Sequence, residues 1–118
     1  MKKKPDIKQL KSIPYGYPKK DINVNIVTNE FTCICPWSGL PDFATITINY
    51  TPDKKCVELK SLKLYLQSYR DVGIVHENAV NNILDDMVNC CNPQKMEIVI
   101  EFNIRGGIKT TVKREYVK

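Results

Sequence analysis

Ala44-Thr-Ile-Thr-Ile-Asn-Tyr50, followed across a short polar break by Glu58-Leu-Lys-Ser-Leu-Lys-Leu-Tyr-Leu-Gln-Ser-Tyr-Arg70, is the stretch that decides the fold. In its first half Ala44, Ile46, Ile48 and Tyr50 alternate with Thr45, Thr47 and Asn49. That period of two marks a half-buried strand, and its β-branched residues favour extended backbone. In its second half Leu59, Leu62, Leu66 and Tyr69 recur at helical spacing, so one helix face must pack. Thr51-Pro-Asp-Lys-Lys55 closes the strand, and the helix runs from about Glu58 to Arg70, ending near Gly73.

Upstream, residues 22–35 alternate loosely, with Ile22, Val24 and Ile26 on one side and an irregularity expected at Thr28-Asn29-Glu30. Pro36-Trp-Ser-Gly-Leu-Pro41 is rich in turn formers, so the two strands read as a hairpin joined by the Pro36–Asp42 loop. Downstream, Val80, Ile83, Leu84, Met87, Val88 and Cys91 share one face of a second helix, His76 to Cys91, which Asn92-Pro93 stops. Met96, Ile98, Ile100, Phe102 and Ile104 alternate along a third strand. Gly106-Gly107 makes a tight turn, and Ile108 to Val117 forms the fourth strand. The order strand-strand-helix-helix-strand-strand predicts an α+β layer: a four-stranded antiparallel sheet with two helices on one face. Such a small open sheet has two free edges and a bare back, which predicts pairing with other subunits. Residues 1–20, basic and bearing Pro5, Pro14 and Pro18, read as an irregular arm, and residues 21–118 as a single domain.

A chain of 118 residues is one domain. The formal net charge of +5 is mild, and Lys2-Lys3-Lys4 supplies part of it from a solvated tail. No nucleic-acid motif with interleaved aromatics is visible. No apolar run approaches the roughly 20 residues of a membrane span, and the basic start has no apolar stretch behind it, so a cytoplasmic protein is expected. The five cysteines are odd in number, which argues against a disulfide framework. With His76 the single histidine and no C-x2-C pair, no metal site is expected.

Several residues are candidates for chemistry. Lys60 and Lys63 sit one turn apart near a helix N-terminus, with Ser61 between them. That arrangement suits either an anion or a plain solvated face. Cys35 closes the first strand just before the loop, where reactive groups are often presented, although a small buried residue fits there equally. Cys33 lies two residues away on the same strand face, and a minor redox pairing with Cys35 is conceivable. Asp42 lies across the proline-bounded loop from Cys35, as an acid held near the thiol or a turn aspartate. Glu77, beside His76 at the start of the second helix, serves the helix dipole or reads the paired N–H donors of a heterocycle.

Taken together, these motifs resemble the QueF family, the NADPH-dependent nitrile reductases of queuosine biosynthesis. Glu58-Leu-Lys-Ser-Leu-Lys-Leu-Tyr65 fits every position of the family signature E-[S/L]-K-[S/A]-hydrophobic-K-L-aromatic. Cys35-Pro36, Gly39 and Pro41-Asp42-Phe43-Ala44 resemble the family's nucleophile loop, and His76-Glu77 follows at the family's separation. The resemblance spans about residues 20–118.

It implies the tunnelling fold, or T-fold, in which sheets of several subunits close into an oligomeric barrel with sites between subunits. The single-unit form implies two stacked pentamers. It also implies that Cys35 adds to the nitrile of 7-cyano-7-deazaguanine to form a covalent thioimide, and that Asp42 gives the nitrile nitrogen a proton. For that Asp42 must be protonated, and burial is expected to raise its pKa. Glu77 would anchor the base and His76 line the site. Val57, Glu58 and Leu59 would touch the base, and Lys60, Ser61 and Lys63 the phosphates of NADPH. The product is the aminomethyl base that enters tRNA modification, with no direct nucleic-acid contact. Two alternatives stand: the archaeal QueF-like amidinotransferases, which act on the same nitrile and lack the lysine-serine signature, and a non-catalytic purine- or pterin-binding module.

Overall fold

The computed structural model describes residues 3–118; of the basic tail, Lys2 lies outside them, and the Lys3 ammonium approaches Asp71 at 3.5 Å. The elements run β1 (Ser12–Pro14), β2 (Val24–Ile34), β3 (Pro41–Thr51), β4 (Lys55–Val57), α1 (Leu59–Gln67), α2 (His76–Cys91), β5 (Lys95–Phe102) and β6 (Thr111–Val117). The alternation read over Ala44–Tyr50 is the centre of β3, the strand that pairs with both β2 and β5. The main sheet has the order β2-β3-β5-β6 and is antiparallel throughout. The register of β2 on β3 shifts between Thr28 and Phe31, at the predicted irregularity.

Both helices cover one face. Ala44, Ile46, Ile48 and Tyr50 of β3 and Met96, Ile98, Ile100 and Phe102 of β5 point into the core, and all are buried. From the helices, Leu62, Tyr65, Leu66, Tyr69, Val80, Ile83, Leu84 and Met87 meet them. Each such aliphatic side chain contributes about 1.5–3 kcal/mol by leaving water. The opposite face carries Thr45, Thr47, Asn49, Glu97 and Glu101, none of them buried. α2 ends where Asn92 takes the left-handed conformation (φ 47°), a geometry Asn tolerates well, and Pro93 then blocks continuation.

Four details differ from the sequence reading. The arm is not wholly irregular: it forms a 3-10 turn at Ile7–Gln9, and β1 pairs antiparallel with β4, a strand too short to show periodicity. Ile22, placed on the first strand, precedes β2 and is exposed. The packed stripe of α1 is Leu62, Tyr65 and Leu66, continued by Tyr69 in the 3-10 turn Ser68–Asp71, whereas Leu59 is 62 % exposed. Leu59 is the first residue of α1 and lines an open groove beside β2 instead of entering the core. The last strand starts at Thr111 rather than Ile108, because Arg105 and Ile108 pair only as an isolated bridge around Gly106-Gly107. Both glycines have positive φ (61° and 77°), as that tight turn requires. Among the described residues no helix is long and apolar enough to cross a membrane.

Candidate active site

The loop between β2 and β3 is closed by its own backbone. Cys35 N–H donates to the Leu40 carbonyl and Gly39 N–H to the Cys35 carbonyl, both at 2.9 Å. Gly39 makes this possible at φ 72°, where a side chain would be strained. The end of β2 is also tied to the chain entering α2. Ile34 N–H donates to the Val72 carbonyl (2.9 Å) and Ile74 N–H to the Ile34 carbonyl (3.0 Å). Cys35 is thereby fixed beside the first turn of α2, which carries His76 and Glu77.

These segments enclose one cavity of about 410 Å³, within the range of small-ligand sites. Cys35, Asp42, His76 and Glu77 all line it, together with Trp37 and Arg105. The sequence reading had brought the first four together. Trp37 is 84 % exposed and stands at the cavity.

Asp42 is the buried polar group of the site, 8 % exposed. Its Oδ1 accepts from Arg105 Nη1 at 2.5 Å, and its Oδ2 is hydrogen-bonded to His76 Nε2 at 3.0 Å. The sequence reading named neither of these two partners. His76 is itself held by stacking on Phe102, with ring centroids 3.5 Å apart and planes 6° from parallel. Arg105 Nη2 also donates to Ser38 Oγ at 3.0 Å, so one guanidinium spans the loop and the acid.

The Cys35 thiol is drawn down to about 7. The Ser38 hydroxyl contributes most, followed by the Ser38 and Trp37 backbone N–H groups, with Arg105 adding to them. Donors aimed at sulfur favour the thiolate, the reactive form of cysteine. Cys33 behaves oppositely. It is fully buried, and burial together with the nearby Asp42 charge pushes its thiol up to about 12. Nothing in the structure supports a redox pairing of Cys33 with Cys35: Cys33 is buried and both cysteines are free.

The remaining residues gather elsewhere. Glu58 is the N-cap of α1, and its carboxylate accepts from the N–H groups of Lys60 (2.7 Å) and Ser61 (3.0 Å). Ser61 is 3 % exposed. Its hydroxyl oxygen accepts from Lys11 N–H at 3.0 Å and faces the carbonyls of Glu58 (2.6 Å) and Lys11 (3.2 Å). These contacts tie the start of α1 to the arm at Lys11. Val57 is buried, and its N–H donates to the Tyr50 hydroxyl at 3.1 Å. Lys60 and Lys63 are exposed; Leu59 and Lys63 line a separate groove with Ile26 and Phe31. None of these α1 residues lines the Cys35 cavity.

Arg105 and Ser38 were missed by the sequence reading. Arg105 immediately precedes Gly106-Gly107, and an arginine flanking a tight turn gives no periodic or motif signal. A family model described as QueF-like protein matches residues 41–118. The chain belongs to the QueF family. A relative from Thermoanaerobacter pseudethanolicus is 56 % identical over 96 % of this chain and 85 % of its own length. One from Thermomicrobium roseum is 55 % identical over 92 % of this chain and 85 % of its own. A third, from Chloroherpeton thalassium, is 50 % identical over 96 % of both. All three are named NADPH-dependent 7-cyano-7-deazaguanine reductase. Among solved structures, the apo form of an archaeosine synthase QueF-Like superposes with a TM-score of 0.76 over 82 % of this chain and 95 % of its own, at 23 % identity. That likeness speaks for the QueF fold alone.

Proposed function

We propose that this chain is a nitrile reductase, converting 7-cyano-7-deazaguanine to the 7-aminomethyl base with NADPH in the cytoplasmic supply of queuosine for tRNA. The observation that carries the reading is one cavity holding a thiol drawn down to about 7, a buried carboxyl, and a glutamate at a helix start. Cys35 is the nucleophile. Its sulfur electron pair attacks the nitrile carbon, one C≡N pair moves to nitrogen, and Asp42 gives that nitrogen its proton. The result is a thioimide on Cys35 and a carboxylate on Asp42. Covalent attachment replaces a poor hydride acceptor with a better one. Glu77 accepts the base's paired N–H groups in bidentate fashion, and His76 orients Asp42.

Lys60 and Lys63 suit the phosphates of NADPH, being exposed ammonium groups beside a helix N-terminus. When bound, NADPH supplies the two hydrides that take the nitrile to the amine. Within one chain neither these lysines nor Val57, Glu58 and Leu59, the residues proposed to touch the base, line the Cys35 cavity. A barrel of several subunits, as two stacked pentamers, brings α1 of one subunit to the Cys35 cavity of the next. The outer edges of β2 and β6, without a partner strand among the described residues, support that assembly.

The test is NADPH absorbance on mixing with the nitrile. The proposal predicts a nitrile-dependent fall, with about two NADPH per nitrile, lost in Cys35→Ala. Product formed from ammonia without NADPH would instead favour amidination, and binding without turnover a non-catalytic module.

A further inference from the structure

We propose that the N-terminal arm is a strap over α1, fastened at the two ends of the helix by Ser61 and Ser68, and that these serines are positioning residues for NADPH. The role rests on the reading above that Lys60 and Lys63 meet the phosphates of the cofactor.

The two fastenings share one chemistry. Just past the end of α1, Ser68 Oγ accepts from Asp6 N–H at 2.8 Å and donates to the Tyr65 carbonyl at 2.5 Å. At the start of α1, Ser61 Oγ accepts from Lys11 N–H at 3.0 Å and donates to the Glu58 carbonyl at 2.6 Å. Each hydroxyl thus takes one amide of the arm and gives its hydrogen to the helix. Glu58 N–H also donates to the Lys11 carbonyl at 2.9 Å, which doubles the attachment at the start. Because Asp6 meets Ser68 and Lys11 meets Ser61, the arm runs antiparallel to the helix. Its path between them is set as well. Asp6 caps the 3-10 turn Ile7–Gln9, Leu10 packs against the core, and beyond Lys11 the chain pairs as β1 with β4.

The helix that carries the lysines needs such support at its start. α1 has nine residues, and a helix that short does not hold its own ends. Its first two residues, Leu59 and Lys60, are exposed, and its apolar core stripe begins only at Leu62. Core packing therefore holds the middle of the helix, while Ser61 and the arm hold the turn that carries Lys60. The Glu58 carboxylate already takes the N–H groups of Lys60 and Ser61. A phosphate at this helix start thus depends on the ammonium groups more than on the helix amides. That attraction weakens as the charges move apart, so a frayed first turn costs cofactor affinity.

Thermal melting of the full-length Ser61→Ala and Ser68→Ala variants verifies folding first. Amide hydrogen exchange read by NMR then follows the fastenings directly. Ser68→Ala should speed exchange at the Asp6 amide, and Ser61→Ala at the Lys11 amide, by roughly fivefold, the scale of one lost hydrogen bond. Each variant should raise the KM for NADPH by roughly three- to tenfold, with kcat and the KM for the nitrile nearly unchanged. Ser68 is the decisive position. It lies about 10 Å along the helix axis from Ser61, out of reach of a phosphate held at Lys60. Ser68→Thr, which keeps the hydroxyl, should restore the parent KM. An unmoved Asp6 amide in Ser68→Ala, or a KM for NADPH that stays unchanged there, overturns the proposal. So does a Ser61→Ala variant that raises this KM while the Lys11 amide exchanges as before, since Ser61 would then touch the phosphate itself. If both serines move the KM for NADPH while Lys60→Ala and Lys63→Ala do not, the strap stands and the lysine reading falls.

Discussion

The imidazole of His76 lies flat on the ring of Phe102 at 3.5 Å, and its Nε2 meets Asp42 Oδ2 at 3.0 Å. A core residue at the end of β5 thus fixes the plane of a histidine on α2, which in turn orients the proposed acid on β3. Phe102→Ala should cost about 3–5 kcal/mol in urea unfolding, because Phe102 is fully packed. His76→Ala should leave folding nearly unchanged and lower kcat about tenfold, the scale of one lost hydrogen bond. Equal stability losses in both variants would contradict this division of labour.

Trp37 is the single tryptophan of the chain and stands exposed at the cavity. Its fluorescence should therefore change when the deazaguanine enters, with saturation at the dissociation constant found by calorimetry. Glu77→Ala should abolish that change at the same ligand concentration. A signal that persists in Glu77→Ala would argue against the glutamate as the base anchor.

The helix start at Glu58 separates two roles that the sequence merges. Glu58→Ala removes a cap that satisfies two backbone N–H groups, and should cost about 1 kcal/mol of stability. Lys60→Ala and Lys63→Ala remove exposed charges and should leave melting unchanged while raising the KM for NADPH about tenfold each, more steeply at low salt. If KM for NADPH is insensitive to both lysines, the cofactor lies elsewhere.

With the Cys35 thiol near 7, its thiolate persists at a pH where an ordinary cysteine is protonated. Adduct formation should rise with pH through about 7 and then level off. Ser38→Ala removes the largest contribution, so its rise should move to higher pH. A profile still climbing where free cysteine ionises would contradict the assigned microenvironment.

Much of this fold was legible because periodicity dominated. β3, β5 and α2 each bury one clean stripe, and α2 begins and ends at the predicted residues. β1 and β4 were not legible, since three-residue strands held by backbone pairing carry no pattern. Leu59 was misread for a related reason: spacing identifies a stripe but not how deeply each of its members is buried. Within the site, Cys35, Asp42, His76 and Glu77 were legible as motifs, and the structure brings them into one cavity. Arg105 was not, because it joins them only through folding: it is distant in sequence, and its role depends on a hairpin turning back over the Cys35 loop. The engagement of Ser61 with Lys11 was hidden likewise, since it involves the arm.

The central claim is that Cys35 attacks the nitrile. Intact-mass measurement after mixing the protein with 7-cyano-7-deazaguanine, without NADPH, tests it most directly. The account predicts one added nitrile per chain, absent in Cys35→Ala and retained when any other cysteine is replaced. An unmodified parent chain, or an adduct that survives Cys35→Ala, would contradict it.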